Sequence, residues 1–199
     1  MCTCINFTTK DYYFGRNLDL EYRFNESVVI TPREYEFNLR KAESFKTKYA
    51  IIGMATVVYD YPLYAEACNE KGLCIAGLNF PNNAFYEEVK KEKINITPFE
   101  LIPWVLGNFK EIEELKKVIY NINLIDVSFS EDMQLTPLHW MISDEKETIV
   151  LEQTKEGLNV YDNEVGVLTN NPPFPYHKEN LINYLNLTPN LPENRFSSK

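Results

Sequence analysis

The sequence predicts an α+β protein built on antiparallel sheet, and the order of its segments carries that prediction. Strand-like runs fill most of residues 1–80 and return after residue 138, while two helical patterns stand between these blocks and a third follows them. Blocks of strands and blocks of helices are typical of α+β folds, whereas a parallel sheet needs the two in alternation. The chain of 199 residues, 44% hydrophobic and 25% charged, is expected to form a single domain.

The first two strands predict a hairpin. Residues 3–9 alternate between apolar and polar side chains, Lys10-Asp11 is a plausible two-residue turn, and residues 12–20 return as the second strand. This register pairs residue 2 with about residue 19, so the Asp19 carboxylate would lie beside the N-terminal residue.

Further strands are predicted where short apolar runs stand between turn residues. They cover residues 27–31, 49–58, 73–79, 138–143, 148–153, 158–161 and 166–168. The polar residues 33–48 and 82–97 predict loops, the first with a short irregular strand.

Three helices complete the prediction. Thr97 and Glu100 form a capping-box pattern with Pro98 at the first helical position, and this helix would run through Phe109 with a kink at Pro103. Residues 111–120 and 176–187 predict the second and third helices.

Charge and hydropathy exclude several classes of partner. The net charge of −9, without a block of like charge, argues against nucleic acid, because phosphate binding needs clustered Lys and Arg. No apolar run is long enough to span a bilayer, and the first residues lack a secretory signal. We therefore expect a cytoplasmic protein without a membrane partner.

The cysteines and histidines predict no metal site. Cys2, Cys4, Cys68 and Cys74 fit no zinc-ligand spacing, and the two histidines lie far apart in the sequence. The expectation is a protein without metal or other cofactor, with its cysteines as free thiols.

Cys2 is the first candidate for chemistry. Removal of Met1 would give Cys2 a free α-amine with an intrinsic pKa of roughly 7.7–8, able to act as a general base for its own thiol. Arg16 and Asp19, on the returning strand, could support that thiol and amine. The residues alone leave two plainer interpretations open, a chance cysteine and an ordinary surface ion pair.

Seven motifs follow one another along the chain. They are Met1-Cys2-Thr3, Phe14-Gly15-Arg16-Asn17-Leu18-Asp19, Asn69-Glu70-Lys71-Gly72-Leu73, Ala76-Gly77-Leu78-Asn79-Phe80, Leu138-His139-Trp140, Glu152-Gln153-Thr154-Lys155-Glu156 and Gly166-Val167-Leu168-Thr169-Asn170-Asn171-Pro172. In this order they resemble the choloylglycine hydrolases, the family of bacterial bile salt hydrolases and penicillin V acylases.

The resemblance implies an N-terminal nucleophile hydrolase with an αββα sandwich of antiparallel sheets. It also implies that Cys2 is the nucleophile, that Arg16 and Asp19 support it, and that Asn79 and Asn170 help to bind the tetrahedral oxyanion. The substrates would be glycine- or taurine-conjugated bile salts, and the assembly a homotetramer. Without the family, Asn79 is a strand terminus and Asn170 a turn residue before Pro172.

Two details qualify the resemblance. The segment Leu78-Asn79-Phe80 is closer to the bile salt hydrolases, since the acylases tend to carry an aromatic at the Asn79 position; a penicillin V acylase activity is the alternative. Family members continue beyond Lys199 with further strands and a further catalytic arginine. The resemblance therefore implies the N-terminal portion of a longer domain, truncated at its C-terminus, and a non-catalytic binder of bile salts is a further alternative.

Overall fold

The computed structural model describes residues 1–19 and 23–190, which form two antiparallel sheets packed face to face. A helix covers the outer face of the larger sheet. This arrangement confirms the predicted α+β class with antiparallel sheet. Within the described part of the chain, no helix is long and apolar enough to cross a membrane.

The small sheet holds the N-terminal hairpin. Its strands are β1 (Thr3–Thr8) and β2 (Tyr12–Asn17), with β14 (Val167–Leu168) on the other edge of β1. The hairpin is confirmed, but its predicted register is wrong by one residue.

The register shift comes from the loop between β1 and β2. Thr8 pairs with Tyr12, so three residues connect the strands instead of two, and the Thr9 N–H donates to the Asp11 carbonyl at 3.0 Å. Asp19 therefore lies beside residue 1 rather than residue 2. The strand ends at Asn17, and the predicted end at Leu20 lies outside the described residues.

The large sheet has the spatial order β13-β12-β11-β8-β7-β6-β3 in the described residues. These strands are β3 (Ser27–Thr31), β6 (Ile51–Val58), β7 (Tyr61–Asn69), β8 (Cys74–Asn79), β11 (Leu138–Ser143), β12 (Thr148–Thr154) and β13 (Gly157–Asp162). All were predicted except β7, in which Pro62 and Glu66 interrupt the apolar run and hide the strand pattern.

The shorter elements differ more from prediction. Two-residue strands β4 (Glu36–Phe37) and β5 (Phe45–Lys46) pair with each other, and β9 (Ile94–Ile96) pairs in parallel with β10 (Ile122–Leu124). The second of these pairs was not predicted. Its strands have three residues each, which is too short for a periodic pattern to show.

Three helices are present in the described residues: α1 (Pro98–Asn108), α2 (Ile112–Lys116) and α3 (Phe174–Asn180). The first continues through Pro103, and Glu100 Oε2 accepts the Thr97 N–H at 2.8 Å as the capping-box pattern predicts. The predicted second helix stops at Lys116. Val118, with φ −125° and ψ −9°, lies outside the helical region, and a 3₁₀ turn follows at Ile119–Asn121. The third continues as a 3₁₀ turn, Leu181–Tyr184.

Two buried clusters fill the spaces between these layers. The larger lies between α1 and the large sheet and includes Leu101, Val105 and Trp140. The smaller lies between the two sheets and contains Cys2 and Cys4 from the small sheet. Cys2 and Cys4 are thus buried between the sheets, whereas Met1 is exposed at the start of the chain.

The expectation of free thiols is wrong for two of the cysteines. Cys68 and Cys74 form a disulfide, whereas Cys2 and Cys4 are free. Cys68 is the penultimate residue of β7 and Cys74 the first of β8. The two are directly paired across the antiparallel strands, with Cα atoms 4.1 Å apart. The spacing of six residues could not reveal this, because the pairing depends on a strand that was not predicted.

We predict that protein denatured without reductant releases two titratable thiols per chain, from Cys2 and Cys4, and that reduction raises the number to four. The measurement is a thiol titration with a chromogenic disulfide, with and without reductant. A Cys68→Ser/Cys74→Ser double variant should give the same count in both conditions. Four thiols in the unreduced wild-type protein would contradict the pairing.

Candidate active site

Cys2 lies immediately before β1, buried between the two sheets. Its Sγ atom is 3.4 Å from Nη2 of Arg16, a residue of β2. In the observed register Arg16 is paired with Cys4, and its long side chain reaches from there to the Cys2 sulfur. The predicted proximity of Arg16 to the Cys2 thiol is therefore present in the structure.

The buried Arg16 side chain has two further partners on the large sheet. Nη1 donates to Glu66 Oε2 at 2.5 Å, and Nη2 donates to the carbonyl of Gly77 at 2.8 Å. Glu66 in β7 is paired with Ala76 in β8, so the carboxylate and the Gly77 carbonyl lie on neighbouring strands. A buried guanidinium requires such partners, and here they also fix its direction towards the sulfur.

Glu66 and Gly77 were not among the predicted site residues. The available signal was Glu66 itself, a single carboxylate flanked by alanines in an otherwise apolar stretch. Because β7 was not recognised as a strand, that carboxylate could not be assigned to the face that meets Arg16.

Asp19 lies at the same end of the site but contacts a different atom. Its Oδ2 accepts a hydrogen bond from the Met1 ammonium at 3.0 Å, and the side chain is 64% exposed. Asp19 follows the end of β2 by two residues, so the alternation of side chains along that strand does not determine the direction of its side chain. The structure thus brings Asp19 to the N-terminal ammonium, one residue before the thiol.

Asn170 joins the start of the chain to the end of β8. Its Oδ1 accepts the backbone N–H of Cys2 at 2.7 Å, and its Nδ2 donates to the carbonyl of Asn79 at 2.7 Å. Because an N–H only donates and a carbonyl only accepts, these partners fix which way the amide faces. Asn79 is therefore connected to the site through its backbone as well as through its position on the cavity wall.

Glycine at position 166 allows the segment that contains Asn170 to approach Cys2. Gly166 has a φ of +70°, and a Cβ atom there would lie 2.1 Å from Oδ1 of Asn6. Its carbonyl accepts the Asn6 N–H at 2.8 Å, which places β14 against β1. Asn170 follows β14 and is thereby brought to Cys2.

Cys4 differs chemically from Cys2 although the two are neighbours. Cys4 is fully buried, and desolvation raises the pKa of its thiol to about 12, partly opposed by the Arg16 charge. A thiol with that pKa stays protonated and unreactive at neutral pH. Cys2, in contrast, lines a cavity.

The cavity above Cys2 has a volume of about 910 Å³. Arg16, Asp19, Asn79 and Asn170 lie on its wall together with Cys2, so it contains all five predicted site residues. The rest of the lining is largely apolar and includes Leu18, Phe24, Leu63, Phe99, Phe129 and Leu135. A large apolar cavity with a few polar groups at one end is typical of sites for amphipathic small molecules.

No cluster of three or more His, Cys, Asp or Glu side chains in residues 1–19 and 23–190 is arranged to hold a metal ion. The polar end of the cavity consists of a thiol, a guanidinium, a carboxylate and amides. Groups of this kind suit nucleophilic attack on a carbonyl with stabilisation of the negative charge that results.

Comparison with known proteins identifies relatives along the whole chain. Residues 2–199 match the sequence model of the linear amide C–N hydrolases, choloylglycine hydrolase family. A bile salt hydrolase/transferase of Lactiplantibacillus plantarum is 54% identical over 199 residues, which are 100% of this chain and 61% of that protein. The chain thus spans about three fifths of the length of this relative.

Solved structures agree with this match. A variant of the conjugated bile acid hydrolase from Clostridium perfringens superposes with a TM-score of 0.92 at 44% identity, covering 100% of this chain and 62% of that one. A penicillin V acylase from Agrobacterium tumefaciens superposes with a TM-score of 0.75 at 19% identity, covering 92% of this chain and 56% of that one, and shows the shared fold alone. The expected αββα sandwich is confirmed by these likenesses.

We predict that Glu66→Gln lowers the free energy of unfolding by about 1–3 kcal/mol, because it removes the countercharge of a buried guanidinium. Urea unfolding measures the change. The matched control is Glu70→Gln, which removes the same countercharge from the exposed Arg33 and should cost less. Equal effects of the two substitutions would show that the Arg16–Glu66 pair is energetically an ordinary surface pair.

Proposed function

Because the chain belongs to the choloylglycine hydrolase family of linear amide C–N hydrolases, we propose that it is a cysteine amidase acting on conjugated bile acids. It would hydrolyse the amide that joins the bile acid to glycine or taurine. The observation that carries the proposal is the Cys2 thiol, 3.4 Å from a buried guanidinium at the polar end of an apolar cavity.

The proposed nucleophile depends on the removal of Met1. The Cys2 nitrogen, now a peptide N–H held by Asn170 Oδ1 at 2.7 Å, would become the α-amine at the same place. Its pKa of roughly 7.7–8 in model peptides suits a general base near neutral pH. Asp19, which holds the Met1 ammonium in the structure, would then accept a hydrogen bond from the Cys2 ammonium.

In the first proposed step the α-amine takes the thiol proton, and Sγ forms a bond to the amide carbonyl carbon. The tetrahedral oxyanion collapses, the C–N bond breaks, and the amino acid leaves after taking that proton from the ammonium. Water, deprotonated by the same amine, then attacks the thioester carbonyl, releases the bile acid and restores the thiol.

The other site residues have proposed roles in the same steps. Arg16 would stabilise negative charge on the sulfur. Asn170 has a second Nδ2–H besides the one donated to Asn79, and with the Asn79 side chain it would donate to the oxyanion. Both asparagines lie on the cavity wall next to Cys2, which supports that assignment.

The substrate class rests on the cavity and on the relatives. A steroid is a rigid apolar body, and the wall of the 910 Å³ cavity is largely apolar. The relatives that are 54% and 47% identical are both named bile salt hydrolase/transferase. The penicillin V acylase likeness lies at 19% identity and supports the fold only, so bile salts are the first proposal.

Location and assembly are also proposed. We propose a homotetramer from the family resemblance, and a cytoplasmic location as the sequence predicts. The Cys68–Cys74 disulfide removes free thiols as an argument for that location. Light scattering of the purified protein measures the assembly, and a monomer would contradict the tetramer.

We predict that active protein begins at Cys2. A retained Met1 makes the Cys2 nitrogen part of a peptide bond, which has no basic lone pair and cannot accept the thiol proton. Intact-mass measurement of an active preparation checks this. Full activity in a preparation that keeps Met1 would contradict the amine mechanism.

The nucleophile is tested with Cys2→Ser and Cys4→Ser. Cys2→Ser keeps the amine but replaces the thiol by a much weaker acid, so release of taurine or glycine should fall steeply. Cys4→Ser should change turnover little, because the Cys4 thiol has a pKa of about 12 and is buried away from the cavity.

The assay compares taurocholate, glycocholate and penicillin V. Faster turnover of penicillin V than of both bile salts would favour the acylase alternative. Bile salt binding without turnover would favour the non-catalytic binder. Loss of activity in Cys4→Ser but not in Cys2→Ser would contradict the assignment of Cys2 as the nucleophile.

A further inference from the structure

A buried pair of titratable side chains, His139 and Glu152, lies behind the Asn170 segment and has no role in the proposed steps. The two residues belong to the neighbouring strands β11 and β12, and both side chains are fully buried. His139 Nδ1 lies 2.9 Å from Glu152 Oε1. Phe80 stacks on the imidazole with ring centroids 4.2 Å apart.

Each member of the pair holds one end of the segment 169–174. His139 Nε2 lies 2.8 Å from the carbonyl oxygen of Thr169, and since a carbonyl only accepts, Nε2 carries a proton and donates it. Glu152 Oε1 accepts the backbone N–H of Phe174 at 3.0 Å. The segment between these two contacts contains Asn170.

The placement of Asn170 depends on these two ends. Thr169 immediately precedes it, so a shift of the Thr169 carbonyl moves the Asn170 side chain. That side chain contacts the Cys2 nitrogen and the Asn79 carbonyl, both at 2.7 Å. Displacement of a reacting group by about 1 Å can cost on the order of 100-fold in rate.

The chemistry of the pair also points beyond core packing. Nδ1 and Oε1 lie at hydrogen-bonding distance, 2.9 Å, in a fully buried position. Apolar side chains could fill the same space without the cost of burying ionisable groups. They could not, however, bond the carbonyl of Thr169 or the N–H of Phe174.

We propose that His139 and Glu152 are positioning residues: by fixing Thr169 and Phe174 they hold the Asn170 amide against the Cys2 nitrogen and the Asn79 carbonyl. The kinetic consequence rests on the proposed amidase function. The geometric consequence, correct placement of the Cys2 nitrogen, does not.

The test compares two substitutions of His139, one that can keep the contact with Glu152 and one that can keep the contact with Thr169. In His139→Asn the short amide can still meet Glu152 but cannot reach the Thr169 carbonyl, so kcat for taurocholate should fall roughly 10- to 100-fold with KM little changed. In His139→Gln the longer amide can reach that carbonyl, and kcat should stay within about fivefold of wild type.

A double-mutant cycle separates positioning from stability. If His139 acts through Asn170, then His139→Asn/Asn170→Ala should be no slower than Asn170→Ala alone. The matched control is Asn123→Leu, which removes a buried hydrogen bond to Asn95 Oδ1 of 2.7 Å between β10 and β9, outside the cavity wall. That control should lower Tm and leave kcat unchanged.

The proposal is overturned if His139→Asn lowers Tm but leaves kcat within about twofold, or if the effects in the double variant multiply as independent effects do. It is also overturned if His139→Gln loses as much kcat as His139→Asn. Should His139→Asn fail to fold, the same comparison is made with Glu152→Ala, which loses the acceptor for the Phe174 N–H, and Glu152→Gln, which keeps it.

A separate measurement tests the positioning proposal if the proposed function fails. If the wild-type protein hydrolyses neither bile salts nor penicillin V, the amidase proposal fails. The positioning proposal is then decided by the rate of Cys2 alkylation with iodoacetamide, which depends on the thiolate fraction that the neighbouring amine controls. That rate should change at least about threefold in His139→Asn and stay near wild type in His139→Gln; equal rates in all three proteins would overturn it.

Discussion

The site depends on one buried charge. Arg16 extends from the small sheet into the space between the sheets, where a guanidinium is stable only with partners. Glu66 and the Gly77 carbonyl, both on the large sheet, supply them. Since the same guanidinium contacts Cys2 Sγ, the interaction that joins the two sheets also positions the thiol. The attachment of one sheet to the other and the geometry of the Cys2 thiol therefore have a common cause.

Local patterns could be predicted from the sequence, because the groups that make them are close in the chain. The capping contact between Thr97 and Glu100 spans three residues, and strand alternation needs only a short window. The hairpin register could not be predicted in this way. A one-residue slip would move the side chains of β2 to the other face, but aromatic residues occur on both of its faces, so the local pattern does not choose between the registers. The structure has the three-residue loop, with the Thr9 N–H bonded to the Asp11 carbonyl.

The sequence predicted those residues of the candidate site that the family motifs identify, but not the residues that contact them. The resemblance selected Cys2, Arg16 and Asn170 among its site residues, and the structure places Arg16 and Asn170 each in contact with Cys2. The partners of Arg16 were not predicted as site residues, since Glu66 and Gly77 meet it through tertiary contacts that have no counterpart in local spacing. The Cys68–Cys74 disulfide was missed for the same reason, because it requires the register of β7 on β8.

The contact between Cys2 and Asn170 spans 168 residues, and the one between Asn170 and Asn79 spans 91. Contacts of such separation carry a large loop-closure cost, which pairing of the intervening strands reduces. The Cys2 nitrogen is thus held in place by a residue 168 positions further along the chain. A substitution that loosens β12 or the turn at Gly166, neither of which lines the cavity, would affect the thiol through the position of Asn170. Activity should therefore be sensitive to the packing of this strand and turn as well as to the residues on the cavity wall.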